Sequence, residues 1–91
     1  MTEVTANTVK ILYFAWLREK MGRAEETVVL PTSVNTITDL VLWLRTRGPE
    51  YESAFARPEV VRAALDQTHV KPTAMLAGAR EIAFFPPVTG G

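Results

Sequence analysis

Apolar side chains from Thr8 to Trp16 occupy both parities of an extended chain, with Val9, Ile11 and Tyr13 on one face and Leu12 and Phe14 on the other. Two apolar faces predict a strand with neighbours on both sides in a sheet. Leu17 to Met21 consists of helix formers and stops at Gly22, the pattern of a short helical turn closed by a left-handed residue. Glu25 to Leu30 resumes the strand pattern and ends at Pro31, which predicts an antiparallel hairpin between the first two strands.

Ile37, Leu40, Val41 and Leu44 recur at helical spacing and predict a helix from Ile37 to Arg47. Thr36 with Asp39 makes a capping-box pair, Arg45 and Arg47 suit the C-terminal dipole, and Gly48-Pro49 ends the helix. Trp43 widens the buried face. Glu50 to Arg57, with Tyr51 and Phe55 one turn apart, is a short helix or an ordered loop. Val60 to Leu65 fits two readings: alanine content and Pro58 favour helix, whereas Val61, Ala63 and Leu65 alternate as in a strand. Asp66 to Thr68 has turn chemistry, His69 to Lys71 suits a short returning strand, and Glu81 to Phe85 is a strand halted by Pro86 and Pro87. The sum is an α+β domain, a mixed sheet of about five strands with one main helix packed across it, the layout of a β-grasp.

A chain of 91 residues, 47% hydrophobic and 22% charged, suffices for one globular domain, read here as residues 8–85 after a leader at 1–7 and before a tail at 86–91. Ten basic and ten acidic residues cancel, so no general attraction for nucleic acid or anionic lipid is expected. No cysteine is present, which removes disulfides, thiolate metal sites and cysteine nucleophiles. With one histidine, His69, a metal site or catalytic cluster within the chain is not expected either. Apolar runs are too short to span a membrane and residues 1–10 lack an apolar signal core, so a cytoplasmic protein is expected.

The chemistry concentrates at the end of the chain. The run Phe84-Phe85-Pro86-Pro87-Val88-Thr89-Gly90-Gly91 takes an apolar strand into a stiff diproline and then two glycines. The prolines favour polyproline II and project the segment away from the sheet. Six residues reach at most about 20 Å, enough to enter a cleft of another protein. Gly90 and Gly91 fit a channel too narrow for side chains. The terminal carboxylate is an anion at neutral pH and a poor electrophile until activated as a mixed anhydride with AMP. The sequence has no Walker-type phosphate loop, so ATP would be used by a partner enzyme. The plain alternative is an incidental Gly-Gly terminus.

Val9-Lys10-Ile11-Leu12-Tyr13-Phe14-Ala15 with Leu17-Arg18-Glu19, together with Ala83-Phe84-Phe85-Pro86-Pro87-Val88-Thr89-Gly90-Gly91, resembles the molybdopterin synthase small-subunit family. The segment Ala63 to Thr68 resembles that family's third strand and turn. The resemblance implies a ubiquitin-like β-grasp, with Val60 to Leu65 as strand, and the activity of a sulfur carrier. It implies that an E1-like adenylating enzyme converts Gly91 to an acyl adenylate using ATP, and that a sulfurtransferase supplies sulfur for a thiocarboxylate. The tail, Pro86, Pro87, Val88, Thr89 and Gly90, would enter the large synthase subunit in a heterotetramer and give sulfur to cyclic pyranopterin monophosphate. Catalytic residues would lie on the large subunit, and no cofactor would be bound by this chain.

The same resemblance places partner contacts at Phe14, His69 and Phe85, with Arg18 nearby. Otherwise Phe14 and Phe85 belong partly to the core, His69 is an exposed turn residue and Arg18 a solvated helix charge. Asp66 stands where the family usually has asparagine, and Ala79-Arg80 where a Gly-Asp turn commonly precedes the last strand, so Gly78 is expected to take the left-handed position. Competing functions are a related carrier serving thiamine, cysteine or tRNA thiolation, a ubiquitin-like modifier joined to lysines through Gly91, and a binding module with an inert tail.

Overall fold

The computed structural model describes residues 8–87. The leader at 1–7 and the tail residues Val88, Thr89, Gly90 and Gly91 lie outside the described residues. Strand β1 (Thr8–Tyr13) buries Val9, Ile11 and Tyr13 on one face, as the alternation predicts. It ends three residues earlier than the pattern suggests, because the backbone turns at Ala15 (φ 57°, ψ −133°) and the Leu17 N–H donates to the Phe14 carbonyl at 3.2 Å. Trp16 therefore opens helix α1 (Trp16–Met21) instead of closing the strand. Gly22, at φ 75°, ends α1 by donating its N–H to the Arg18 carbonyl.

Strand β2 (Glu25–Val29) pairs antiparallel with β1, setting Val9 opposite Val28 and Ile11 opposite Glu26. Helix α2 (Ile37–Leu44) starts with both halves of the expected capping box: the Thr36 hydroxyl accepts the Asp39 N–H at 3.1 Å, and the Asp39 carboxylate accepts the Asn35 and Thr36 N–H groups. Those donors, Asn35 foremost, hold the Asp39 carboxyl below the usual carboxylate range. The α-helix stops at Leu44, and Arg45–Arg47 continues as a 3₁₀ turn. Arg47 lies over the rings of Trp43 and Tyr51, 5.1 and 5.3 Å from their centroids. Its role is thus to tie α2 to helix α3 (Pro49–Ala54), which buries Tyr51 and Ala54.

Of the two readings of Val60 to Leu65 the strand holds, from Arg62 on, and the helical signal of Pro58 belongs to a turn before it. Pro58–Val60 is a 3₁₀ turn, and Arg62–Leu65 is strand β3. Strand β4 (Thr68–Val70) begins one residue earlier than expected, because Asp66 (φ 48°) and Gln67 (φ 73°) complete the reversal alone, as in a type I′ hairpin. Strand β5 (Glu81–Phe85) has the predicted bounds. It pairs parallel to β1 and antiparallel to β3, giving the order β2-β1-β5-β3-β4. Gly78 adopts φ 83° in the turn before β5, as expected from the Ala79-Arg80 departure, and Asp66 Oδ1 accepts the Arg80 and Glu81 N–H groups at 3.0 Å. Asparagine has an equivalent oxygen there, so the aspartate costs this loop nothing in hydrogen bonding.

Helix α2 lays Ile37, Leu40, Val41 and Leu44 on the sheet face carrying Ile11, Ile82 and Phe84. Tyr13 stacks on Phe84, and Phe55 meets Phe84 edge-on at 5.0 Å. At the border of this core Glu26, its side chain 10% exposed, accepts the Tyr13 hydroxyl at 2.6 Å, the Tyr51 hydroxyl at 2.9 Å and Arg23 at 3.0 Å. Burial, with the Glu26 hydrogen bond and charge adding to it, raises both tyrosine pKa values above the usual phenol range.

Candidate functional site

The sheet face opposite α2 has no helix across it among the described residues. Strand register puts Leu12, Ala83, Ala64 and His69 in one row across β1, β5, β3 and β4. Phe85, opposite Arg62, stands in the next row. Because β1 and β5 are parallel, Phe14 and Phe85 emerge at the same end of the sheet, where the Phe14 N–H donates to the Phe84 carbonyl at 3.1 Å. The chain then leaves through Pro86 and Pro87, both half-buried. Geometry therefore gathers an apolar patch around the point from which the last residues depart.

Of the residues expected to contact partners, three belong to this face. His69 is exposed, and its ring lies 4.9 Å from the half-buried Phe85 ring. Phe14 is 48% exposed, which corrects the reading of it as partly core: it has the parity of Leu12, opposite to that of the buried Val9, Ile11 and Tyr13. An uncovered phenylalanine of that size is unfavourable in water unless another surface covers it. Arg18 is exposed on α1, beyond the end of β1, and does not join the row. The expected chemical group, Gly91, and its neighbours Val88 to Gly90 lie outside the described residues.

Leu12, Ala64 and Ala83 are members of the face that residue-by-residue reading missed. Their signal was the alternation itself: Leu12 shares parity with Phe14, and Ala83 with Phe85. Ala64 is 5% exposed, yet it lies on this side, between Ala83 and His69. Small alanines in the middle strands make the floor shallow between the two phenylalanines and the histidine. No group of three or more His, Cys, Asp or Glu side chains able to hold a metal ion occurs among the described residues.

A mixed sheet with a helix across one face, a central last strand and an open face beside the chain end is the ubiquitin-like β-grasp. Residues 11–91 match the ThiS family. The chain belongs to this family of sulfur carriers. It is 31% identical over 88 residues to the molybdopterin synthase sulfur carrier subunit of Mycosarcoma maydis, covering 92% of this chain and 94% of that one. Among solved structures, a Pyrococcus furiosus protein described as molybdopterin converting factor, subunit 1, shares 27% identity with a TM-score of 0.71, over 89% of this chain and 98% of that one. SAMP1 from Haloferax volcanii shares 25% identity with a TM-score of 0.69, over 92% and 99%.

Proposed function

We propose that this protein is the sulfur-donating small subunit of a molybdopterin synthase. The observation that carries the proposal is the coincidence, at one end of the sheet, of the uncovered Phe14–Phe85–His69 face with the diproline exit toward Gly91. A partner that binds the face receives the terminus without a search through solution. The curated relative from Mycosarcoma maydis supports the same reading.

In this reading the Gly91 carboxylate attacks the α-phosphorus of ATP on an E1-like enzyme and pyrophosphate leaves. A sulfide equivalent from a sulfurtransferase displaces AMP and leaves a thiocarboxylate. On the large subunit, within a heterotetramer of two small and two large chains, that sulfur passes to cyclic pyranopterin monophosphate, and water supplies the oxygen that restores the carboxylate. Pro86, Pro87, Val88, Thr89 and Gly90 act as the spacer, and this chain contributes Phe14, Phe85 and His69 to docking. The carrier needs no thiol of its own, consistent with the lack of cysteine.

A second reading, a protein modifier, draws on the likeness to SAMP1. Intact-mass analysis after incubation with ATP, an activating enzyme and a sulfur donor separates the two. Exchange of one oxygen for sulfur at Gly91, followed by dithiolene formation with a large subunit, supports the synthase; lysine-linked conjugates support the modifier. Thiocarboxylate formation without product on a competent large subunit would assign the chain to another sulfur-carrier pathway.

A further inference from the structure

The open sheet face changes its charge along the strands. At the end where β1 and β5 begin, Lys10 lies between two acids, with Glu81 beside it on β5 and the Glu25 carboxylate 3.6 Å away on β2. At the other end, where Pro86 leaves the sheet, Phe85 stands opposite Arg62. Arg62 has the parity of Ala64, opposite to that of the core residue Ala63, so it projects from the open face, and it is exposed. Its Nη1 donates to the Glu59 carbonyl at 3.3 Å, which holds the guanidinium toward the exit and leaves most of its donors free. Among the described residues no carboxylate forms an ion pair with it: Glu59 pairs with Arg57 at 3.3 Å, and Asp66 Oδ1 accepts the Arg80 and Glu81 N–H groups. The apolar patch around Phe14 and Phe85 is thus bordered, beside the tail exit, by an unpaired cation.

We propose that Arg62 is a specificity determinant of this face and selects a protein partner that carries a carboxylate beside the mouth of the channel for the tail, an inference that rests on the synthase reading and adds to it the sign of the charge the large subunit must present there. A guanidinium at the rim of an apolar patch adds little affinity while water reaches it, but it steers the encounter and fixes its orientation. Once a partner covers Phe14 and Phe85, water around Arg62 is displaced. A surface without a carboxylate at that point then strands the charge, whereas one with a carboxylate forms a bidentate pair. The acids flanking Lys10 give the far end of the face the opposite sign, so the same partner docked in reverse is disfavoured. A polyanion is a poorer match, because the chain has no net charge and this cation adjoins apolar side chains.

The test is the association rate of the full chain with a large synthase subunit, followed by stopped-flow fluorescence. The rate for the unaltered chain should fall about 10-fold between roughly 0.02 and 0.5 M salt, and Arg62→Glu at low salt should be about 10-fold slower and lose most of that salt dependence. Arg62→Gln should lie between the two. Arg80→Glu, the same change of charge just before β5 at the other end of the sheet, should stay within about twofold of the unaltered chain. Unfolding midpoints of all three variants should match the parent, because both arginines are exposed. A carboxylate-to-lysine variant of the large subunit that restores the rate with Arg62→Glu would identify the partner group. An unchanged rate in Arg62→Glu, or an equal loss in Arg80→Glu, would overturn the proposal and leave the synthase reading standing. Failure of the unaltered chain to bind would remove both. Self-association abolished by Arg62→Glu, measured by sedimentation, would give the surface to a second copy of the chain and also overturn the proposal.

Discussion

Replacing Glu26 by alanine should cost this domain far more than the loss of a surface acid. The carboxylate accepts three side chains, and its shortest bond comes from Tyr13, which is 1% exposed. Charge-assisted hydrogen bonds contribute about 1.5 to 3 kcal/mol each, and leaving the Tyr13 hydroxyl without an acceptor adds about 1 to 3 kcal/mol. Because the Arg23 side chain is 41% exposed and regains water, whereas Tyr51 is nearly as buried as Tyr13, the net expectation for Glu26→Ala is about 3 to 5 kcal/mol. A domain of this length has only roughly 5 to 14 kcal/mol in total. Tyr13→Phe should cost about 1.5 to 2 kcal/mol, since the carboxylate keeps its other donors. The double variant should then be more stable than the sum of the two by about 1.5 to 3 kcal/mol, as it no longer strands the hydroxyl. Urea unfolding at neutral pH, followed by Trp16 and Trp43 fluorescence, measures all three. A Glu26→Ala cost below about 1 kcal/mol, the range of an exposed ion pair, or a coupling of zero, would refute the reasoning.

The same tyrosines set an alkaline limit. Their folded pKa values lie above those of the unfolded chain, so the stabilisation is complete below the ordinary phenol pKa and is lost as pH rises above it toward the folded values; unfolding midpoints should fall there, and fall less in Tyr13→Phe. Phe14→Ser should leave the unfolding midpoint near that of the parent while weakening binding to a large synthase subunit by about 2 kcal/mol, roughly 30-fold, measured by calorimetry. Equal affinity would remove Phe14 from the docking face. Ala15→Gly should raise stability by roughly 1 kcal/mol, because glycine accepts the φ 57°, ψ −133° backbone that alanine adopts under strain, and a lowered unfolding midpoint would contradict this.

Much of this architecture was legible because local signals agreed. Ile37 to Leu44 carried a helical stripe and a capping box together, and Glu81 to Phe85 was bounded by diproline. The discrepancies arose where one side chain type serves two conformations. Nothing in the parity of Phe14, Ala15 and Trp16 announced a left-handed alanine, since that conformation is dictated by the packing of α1 against its surroundings and not by alanine's own preference. Likewise Pro58 and the Val61-Ala63-Leu65 alternation were both sound signals, for consecutive elements. The open sheet face was visible in part through Phe14, His69 and Phe85. Its floor was not, because alanines such as Ala64 and Ala83 gain their place from strand register, a long-range property. The Glu26 cluster joins residues 13, 23, 26 and 51 and left no local trace.

The position of β5 has a consequence for synthesis. The sheet is two hairpins, β1-β2 and β3-β4, joined by β5 inserted between them. Until Glu81 to Phe85 emerge from the ribosome, the hairpins have no shared strand and the row from Leu12 to His69 does not exist. A chain halted before Glu81 therefore lacks the whole row and Phe85 with it, whatever the state of its two hairpins.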